Sequence, residues 1–393
     1  MRSLNILFVV GSTEVGGAEK QLLELSSALV QKKQQVALFV IGPLGPLTQK
    51  FKDAGVHVYE NKIYSWVSNK RLNLRPFFFV AQFFACVTYI MICFWRRPNI
   101  VHYILPHAYL FGCTLSFFCP KSKLVMSRRS LNTYQVGKPY LKRLERFFFP
   151  RLSGIITNSK AAYKQLVEEG ASPELIRLIY NGVELDKFEI TDEQRCSVRS
   201  GLSIPKGFAL IVVLANLKFY KGLNDLIDAL GILDQTTNLP WHCLILGRDD
   251  GEGYEIDKRI RFKRLSKKVK LIGPRTDVEK ILASADIGLL CSHEEGLPNA
   301  VLEYLSAGLL VVATAVGGTP EIGIEKAHGQ LVPPRNPDAL ASAALIALKK
   351  AHLGVRPVAA KTIVRETFKI SDMVENHCEF YEDLCNSRRN TAE

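Results

Sequence analysis

Short apolar runs recur along the whole chain, and helix-length segments separate them. The runs of the first half are LNILFVV, QQVALFVI, VHVYE, NIVHYIL, KLVMS and GIITNS. Those of the second half are FALIVVLAN, WHCLILG, VKLIG, DIGLLCS, LLVVATA and GQLVP. Strands buried on both faces of a parallel sheet have this composition, and alternation with helices is typical of repeated strand–helix–strand units. The pattern therefore predicts an α/β protein with two doubly wound parallel sheets.

A chain of 393 residues has room for two domains that each bury a core. A polar segment follows YNGVELDKF, so the first domain is predicted to span residues 1–187 and the second residues 188–369. Helical periodicity from Ile370 to Cys385 predicts a terminal helix in the last segment, 370–393, and its final residues NSRRNTAE are expected to fray. Ligands of such sheets bind at the carboxyl ends of the strands.

The stretch EGLPNAVLE places Glu295 and Glu303 eight residues apart around a helix start. With Pro298 expected at the first helical position, the N–H groups of the first turn form an anion site. A rise of ~1.5 Å per residue separates the two carboxylates by up to ~12 Å. Because acid–base pairs that cleave one bond lie about 5 to 9.5 Å apart, this spacing indicates that the two acids hold opposite ends of one long ligand.

Further motifs occur in a fixed order along the chain. They are GSTEVGGAE after the first strand, TNS, YNGVE, FYKG and LIGPRTDV. With EGLPNAVLE they resemble the retaining GT-B glycosyltransferases of family 4, the glycosyl transferases group 1 of the E-x7-E type, over roughly residues 4–340. The resemblance implies two Rossmann-like domains that face a cleft, with a C-terminal helix that crosses back to the first domain.

The resemblance also implies roles for individual residues. Glu295 would contact the donor sugar, Glu303 the ribose hydroxyls and Lys221 the diphosphate, and Glu295 and Lys221 are catalytic candidates. It further assigns contacts with the nucleotide-sugar donor to Gly16, Gly17, Asn216, Lys218, Arg275, Gly296, Leu297, Pro298, Asn299 and Ala300. A lysine and a helix N-terminus supply positive charge to a departing diphosphate without a metal. No Asp-x-Asp motif is present, so no metal and no cofactor are expected.

Some positions depart from the family pattern. Where many relatives have Gly-Arg before the strand end, this chain has Ala215 and Asn216, and Lys218 is the candidate replacement. His102 and His107, in VHYILPHA, both compete for the histidine that relatives place near the sugar, and His107 is preferred as the catalytic candidate. Arg128 and Arg129, in MSRRS, are candidates for an acceptor phosphate or for the membrane, and His102 is a further candidate for contact with the acceptor or the membrane.

The charge of the chain is uneven. Residues 1–185 contain 24 Lys and Arg against 10 Asp and Glu, and no acidic residue lies between Glu60 and Glu145. A face of this kind attracts an anionic partner. Basic and aromatic residues do not interleave as a base-stacking platform requires, so nucleic acid is not expected. Residues 61–151 are therefore predicted to contact an anionic membrane surface.

The segment from Phe77 to Trp95, FFFVAQFFACVTYIMICFW, is apolar around its whole circumference. It lies where an α/β domain needs a crossover helix, so an in-plane position in the membrane surface is favoured. A helix buried in the domain or in an interface and a membrane-spanning helix are the alternatives. Most of the cysteines lie in apolar runs, without C-x2-C pairs, and LNILFVV resembles a first strand rather than a signal peptide. The expected location is the cytoplasmic side of the membrane, with peripheral or monotopic attachment.

These patterns lead to one hypothesis of function. The chain is expected to be a metal-independent, retaining hexosyltransferase that moves a sugar from a nucleoside-diphosphate donor, expected to be a UDP-sugar, to a lipid-linked or membrane-associated glycan acceptor. The family resemblance implies retention, with the leaving phosphate taking the acceptor's proton. A nucleotide-sugar epimerase of the same fold and a non-catalytic membrane-tethering subunit are the alternatives.

Overall fold

The structure is a computed structural model that describes residues 3–61, 75–118, 121–131, 135 and 137–386. The side chains of residues 75–79 and 116 are outside the description. The chain divides into two compact units. The first holds the described residues up to Gly182 and those from Ile370 onward, and the second is Val183–Lys369.

The first unit is built on a parallel sheet of seven strands in the order β3-β2-β1-β4-β5-β6-β7. Six strands match the predicted apolar runs. The seventh, with only three residues, is too short for a hydrophobic pattern to predict it. The strands are β1 Asn5–Val10, β2 Gln35–Val40, β3 His57–Glu60, β4 Ile100–Ile104, β5 Lys123–Arg128, β6 Gly154–Thr157 and β7 Ile176–Leu178.

Helices connect these strands as the alternation predicts. The described helices are α1 Gly17–Gln31, α2 Leu47–Asp53, α3 Arg75–Arg96, α4 Leu105–Thr114, α5 Pro139–Phe148, α6 Lys160–Glu168 and, at the end of the chain, Ile370–Asn386. The apolar segment is indeed the crossover between β3 and β4, since it lies in α3. One of its faces packs in the core through Ala85, Tyr89, Ile92 and Cys93.

The second unit contains a parallel sheet of six strands in the order β10-β9-β8-β11-β12-β13. All six match the predicted runs. They are β8 Ala209–Leu214, β9 Trp241–Leu246, β10 Val269–Gly273, β11 Ile287–Leu290, β12 Leu310–Thr314 and β13 Gln330–Val332. Its helices are α7 Asp192–Gly201, α8 Leu223–Thr236, α9 Gly253–Phe262, α10 Val278–Ser284, α11 Asn299–Ser306, α12 Pro337–His352 and α13 Val358–Thr367. The helix Ile370–Asn386 is α14.

The break between the units falls after Gly182, whereas the sequence placed it after residue 187. Val183 pairs with Lys369 in an isolated parallel bridge, and its N–H donates to Phe368. Residues 183–187 are thereby fastened to the second unit. Helix α14 packs in the core of the first unit through Met373, Val374 and Tyr381, so the predicted return of the terminal helix to the first domain is confirmed. The predicted fraying of residues 387–393 lies outside the described residues.

Candidate active site

In the second unit, the chain leaves β8 and makes a short 3-10 turn, Phe219–Lys221, before α8. Gly222 joins the turn to the helix in the left-handed region, with φ 66° and ψ 24°. A Cβ atom on Gly222 would lie 2.0 Å from the carbonyl oxygen of Cys291. Only glycine permits this backbone conformation next to the end of β11. The turn thus brings Lys221 beside the segment that carries Glu295.

Lys221 and Glu295 form an ion pair with 2.7 Å between Nζ and Oε1. The Ser292 hydroxyl donates to the same carboxylate oxygen over 2.6 Å, and the Thr314 hydroxyl donates to the Ser292 carbonyl. Burial disfavours the ammonium form, but attraction to Glu295 and to Tyr220 outweighs it and raises the pKa of Lys221. The site therefore keeps a fixed carboxylate and a permanent cation side by side, a combination suited to a sugar hydroxyl and a diphosphate.

The loop from Glu295 to Pro298 is held by a close approach of Gly317. A Cβ atom on Gly317 would lie 1.8 Å from the Glu295 carbonyl oxygen, and the Gly318 N–H donates to Gly296 over 2.6 Å. Gly317 also has φ 53°, which favours glycine. Two loops at the carboxyl ends of β11 and β12 are locked together in this way.

Helix α11 begins at Asn299, so the prediction of Pro298 at the first helical position was wrong by one residue. Pro298 has φ −75° and ψ 111° and precedes the helix. The first turn of α11 includes Asn299 and Ala300, and its role as an anion site stays a prediction. Glu303 is the fifth residue of α11 and is half-buried. Glu295, Gly296 and Leu297 lie in the loop before it.

Three other residues that were predicted to contact the nucleotide-sugar donor interact with side chains or backbone of the protein itself. The Asn216 side-chain oxygen accepts from the Arg248 N–H over 3.0 Å, which ties the ends of β8 and β9 together. Lys218 pairs with Asp250 over 3.3 Å and is 43% exposed. Arg275 forms two 2.8 Å hydrogen bonds with Asp277 in an exposed turn, and these bonds raise its pKa. A ligand that used Lys218 or Arg275 would compete with these carboxylates.

Sequence reasoning missed several residues that shape this site. Ser292 donates a hydrogen bond to Glu295, and its position two residues after β11 was a signal that the sequence offered. Arg248 and Asp250 pair with each other after β9. His293 contacts Asp225 over 2.7 Å and donates its backbone N–H to the Tyr220 carbonyl, so it fastens the loop after β11 to the turn that carries Lys221.

In the first unit, Gly16 and Gly17 lie where the loop after β1 enters α1. Gly16 is extended, and a Cβ there would lie 2.3 Å from a carboxylate oxygen of Glu19, which folds back over the helix start. A movable side chain occupies this space, so the backbone does not itself demand glycine. Close approach of a phosphate stays a prediction, and it requires Glu19 to move aside.

His107 is exposed in the first turn of α4, directly after β4. The chain turns sharply here because Leu105 has a φ of 69°, a conformation that costs a non-glycine residue about 1 kcal/mol or more. Pro106 follows. The turn presents His107 at the carboxyl end of the sheet, where ligands of parallel sheets bind, and its catalytic role stays a prediction.

The assignment of His102 to an acceptor or to the membrane is wrong, because the side chain is fully buried. Both ring nitrogens have internal partners at 2.7 Å, the Tyr381 hydroxyl and the Ser127 hydroxyl. Tyr381 belongs to α14, so His102 connects β4 and β5 to the terminal helix. The signal in the sequence was its position inside the apolar run NIVHYIL.

Arg128 is also a core residue, which corrects its assignment to an acceptor or to the membrane. Its guanidinium is 1% exposed and pairs with Glu145 of α5 at 2.5 Å and with Glu169 after α6 at 3.0 Å.

Arg129 is half-buried and donates to the Asn181 side chain over 3.3 Å. Burial lowers the pKa of Arg129 to about 10, so it stays cationic at neutral pH. Its contact with an acceptor stays a prediction.

We expect the first unit to lose stability below pH 6.5 because of His377. This imidazole is 1% exposed in α14, and its Nδ1–H donates to the Met373 carbonyl over 2.7 Å. Burial first, and then Arg129, lower its pKa to about 3. Since the unfolded imidazole binds a proton below pH 6.5 and the folded one does not, unfolding gains about 1.4 kcal/mol per pH unit, or about 2 kcal/mol at pH 5.

Urea unfolding at pH 7 and pH 5 measures this loss. The pKa of nearby His102 is also well below its usual value, so some acid sensitivity should persist in His377→Gln. The variant should nevertheless recover about 2 kcal/mol of the difference. The exposed His57→Gln is the control and should behave as the parent. An unchanged pH dependence in His377→Gln would contradict the prediction.

Neither a metal-binding cluster nor a membrane-spanning helix occurs among the described residues. Within these ranges, no group of three or more His, Cys, Asp or Glu side chains is placed to hold a metal ion. No helix among the described residues is long and apolar enough to cross a membrane. The prediction of a membrane surface falls partly on Lys62, Lys70 and Arg71, which lie outside the described residues.

Comparison with known proteins gives the same assignment for both units. The Glycosyltransferase Family 4 model matches residues 15–187, and the model Glycosyl transferases group 1 matches residues 196–360. Together they account for most of the chain. The first match lies almost wholly in the first unit, and the second contains Lys221, Glu295 and Glu303.

Individual relatives are distant. The chain is 23% identical to N-acetyl-alpha-D-glucosaminyl L-malate synthase of Bacillus anthracis over 75% of its own length and 78% of the relative's. It is 31% identical to the amylovoran biosynthesis glycosyltransferase AmsK of Erwinia amylovora over 56% of the chain and 54% of AmsK. Apart from the Bacillus synthase, the chain spans about half the length of the curated relatives it matches.

Solved structures share the fold. The crystal structure of Anabaena HepE in complex with UDP and glucose superposes with a TM-score of 0.83, at 19% identity, over 97% of this chain and 100% of HepE. Both parallel sheets and the returning terminal helix are thus accounted for by one known architecture. The chain belongs to the GT-B glycosyltransferases of group 1, of the family 4 type.

Proposed function

We propose that this protein is a retaining hexosyltransferase that takes its sugar from a nucleoside-diphosphate donor, a UDP-sugar, and passes it to a lipid-linked or membrane-associated glycan. The main support for a nucleoside-diphosphate sugar donor is the ion pair between Lys221 and Glu295. Ser292 holds this pair just before the N-terminus of α11. HepE, which has this fold, is described in complex with UDP and glucose, and AmsK is described as acting in amylovoran biosynthesis.

The chemistry follows from charge. As the glycosidic bond to the diphosphate breaks, negative charge grows on the leaving phosphate. Lys221 and the N–H groups at the start of α11 stabilise that charge more in the transition state than in the ground state. Glu295 accepts hydrogen bonds from the sugar hydroxyls and holds the ring in a reactive position. Glu303 is assigned to the ribose, and no metal or cofactor takes part in this proposal.

The acceptor half of the proposal rests on an exposed surface of the first unit. Helix α3 is apolar on its outer face as well as its inner one. The outer face follows the helical repeat and consists of Val80, Phe83, Phe84, Val87, Met91, Phe94 and Trp95. An exposed stripe of this kind marks an interaction surface. The interpretation of α3 as a helix wholly buried in its own domain is therefore wrong.

Basic and aromatic residues continue this surface. Phe117 and Phe118 are exposed beside α3, and the Arg151 guanidinium lies 5.4 Å from the Phe117 ring and 4.5 Å from the Phe147 ring of α5. Helix α5 adds the exposed cations Lys142 and Arg143. Aromatic side chains surrounded by cations suit the headgroup region of an anionic bilayer, so this surface supports peripheral attachment on the cytoplasmic side.

A donor panel tests the proposed reaction. Release of nucleoside diphosphate is measured from UDP-, GDP- and ADP-sugars, with and without a membrane lipid extract. We expect release from a UDP-sugar that requires the extract, and a glycolipid product that keeps the anomeric configuration of the donor. Release of the nucleotide without any acceptor would favour an epimerase, and no release from any donor would favour a tethering subunit.

Membrane attachment is tested by sedimentation with vesicles. We expect Phe94→Ser/Trp95→Ser to lower the partition coefficient onto vesicles of phosphatidylcholine with about a third phosphatidylglycerol at least tenfold, because two aromatic side chains leave the interface. Both are strongly exposed, at 67% and 75%. Phe262→Ser removes an aromatic residue of the second unit that is even more exposed, at 82%, and this variant should bind as the parent does. Equal binding by all three proteins would contradict the prediction.

A further inference from the structure

The two middle strands of the second sheet, β8 and β11, separate towards their carboxyl ends. Their parallel pairing covers Ile211 with Ile287 and Val212 with Gly288, and then it stops. These strands flank the point at which the strand order of the sheet reverses. In doubly wound sheets the ligand crevice opens at this point. The spacing between the two strand ends therefore sets the width of the crevice.

The hydroxyl of Tyr304 bridges β8 and β11 just beyond their last paired residues. The Leu214 N–H of β8 donates to the Tyr304 hydroxyl over 2.6 Å, and the hydroxyl donates to the Leu289 carbonyl of β11 over 3.2 Å. The Tyr304 side chain projects from α11 and is fully buried. One hydroxyl thus links β8, β11 and the helix whose N-terminus is the anion site.

The strand below the ring is adapted to it. A Cβ atom on Gly288 would lie 2.4 Å from the Tyr304 ring. Gly288 has an ordinary extended backbone, which any residue can adopt. Glycine is therefore needed here to leave room for the Tyr304 ring. The ring is rigid and has only two side-chain torsions. The distance from α11 to the hydroxyl is therefore nearly constant, and so is the gap that the hydroxyl bridges.

The residues that follow the two strands are the walls of the donor site. Beyond β8 come Asn216, Lys218 and Lys221, and beyond β11 come Ser292 and Glu295. Glu303 is the neighbour of Tyr304 on α11. We propose that Tyr304 is a positioning residue. Its hydroxyl sets the spacing between the segment after β8, which carries Lys221, the segment after β11, which carries Glu295, and helix α11. This inference rests on the proposed function, since it concerns the same donor site.

The test uses Tyr304→Phe, which keeps the ring and removes only the bridge. Calorimetry first establishes which of UDP, GDP and ADP the parent protein binds. We expect the Kd of that nucleotide to rise about tenfold in the variant, because the Lys221 and α11 contacts no longer fit one diphosphate together. Hydrogen exchange of the Leu214 amide should accelerate at least tenfold, while that of Val212, which lies in the paired part of β8, stays unchanged.

Tyr109→Phe is the matched control. Tyr109 is also fully buried, and its hydroxyl donates to the Glu145 carbonyl over 3.1 Å in the first unit. It should lose stability as Tyr304→Phe does but keep the nucleotide Kd within twofold, which separates positioning from a general loss of stability. Nucleotide binding by Tyr304→Phe equal to that of the parent would overturn the inference. A parent protein that binds none of the three nucleotides would overturn the proposed donor and this inference with it.

Discussion

Glu295→Ala is expected to lower kcat/KM for the donor sugar by about 10² to 10³. Removing one preorganised hydrogen-bonding group from a transition state costs about this much. Two effects add here. The sugar loses the acceptor of its hydroxyl hydrogen bonds, and Lys221 loses the carboxylate 2.7 Å away that fixes its ammonium group. Since both groups lie mostly buried, at 11% and 18% exposure, water does not replace the lost contacts well.

Steady-state release of nucleoside diphosphate measures this effect, with two further variants. Glu295→Gln keeps the size of the side chain but removes its charge, and should fall between the alanine variant and the parent. Glu325→Gln removes an exposed carboxylate of the same unit and should be fully active. Activity in Glu295→Ala within a factor of three of the parent would contradict the catalytic assignment and favour a tethering subunit.

Arg128→Ala is expected to destabilise the first unit by about 3 to 5 kcal/mol. Breaking a buried ion pair by removing one partner costs this much, because the remaining charge is left without compensation in the interior. Here two carboxylates remain, those of Glu145 and Glu169, which are 1% and 4% exposed. Through Arg128 they connect α5 and the end of α6 to β5. Loss of the arginine should therefore also loosen α5, the helix that carries the exposed cations Lys142 and Arg143.

Urea unfolding measures the difference against an exposed ion pair. Arg177 pairs with Asp383 over 3.1 Å, but both side chains are more than half exposed, so Arg177→Ala should cost less than about 1 kcal/mol. The combined change Arg128→Met/Glu145→Leu/Glu169→Leu should recover most of the stability, because no buried charge is left unpaired. A loss below 1 kcal/mol in Arg128→Ala would show that the arginine is not the electrostatic centre of this cluster.

Local pattern was sufficient for the elements and for the loop that carries the donor motif. Twelve apolar runs became strands, because a strand buried on both faces must be apolar along its length. The E-x7-E stretch placed Glu295 before a helix and Glu303 within it, as a helix start after a glycine–proline segment dictates. The three-residue β7 and the one-residue shift of Pro298 escaped prediction because neither changes the local periodicity.

Polar residues at strand ends were harder to interpret. Arg128 ends β5 and Arg129 follows it, as functional residues do, whereas His102 lies inside β4. What distinguishes them is a partner far away in sequence. Tyr381 lies 279 residues from His102, and Glu169 lies 41 residues from Arg128. No local pattern reveals whether a distant segment will supply that partner, so at a strand end a buried structural polar group and an exposed functional one have the same local appearance.

The sequence by itself determined the α/β architecture, the family motifs and the cationic character of the first half. Only the tertiary structure decided which polar groups meet. It paired Lys221 with Glu295, buried His102 against α14, exposed one apolar face of α3 and inserted the Tyr304 hydroxyl between β8 and β11. The physical reason is that secondary structure depends on neighbours along the chain, whereas burial and hydrogen bonding depend on segments that the fold alone brings together.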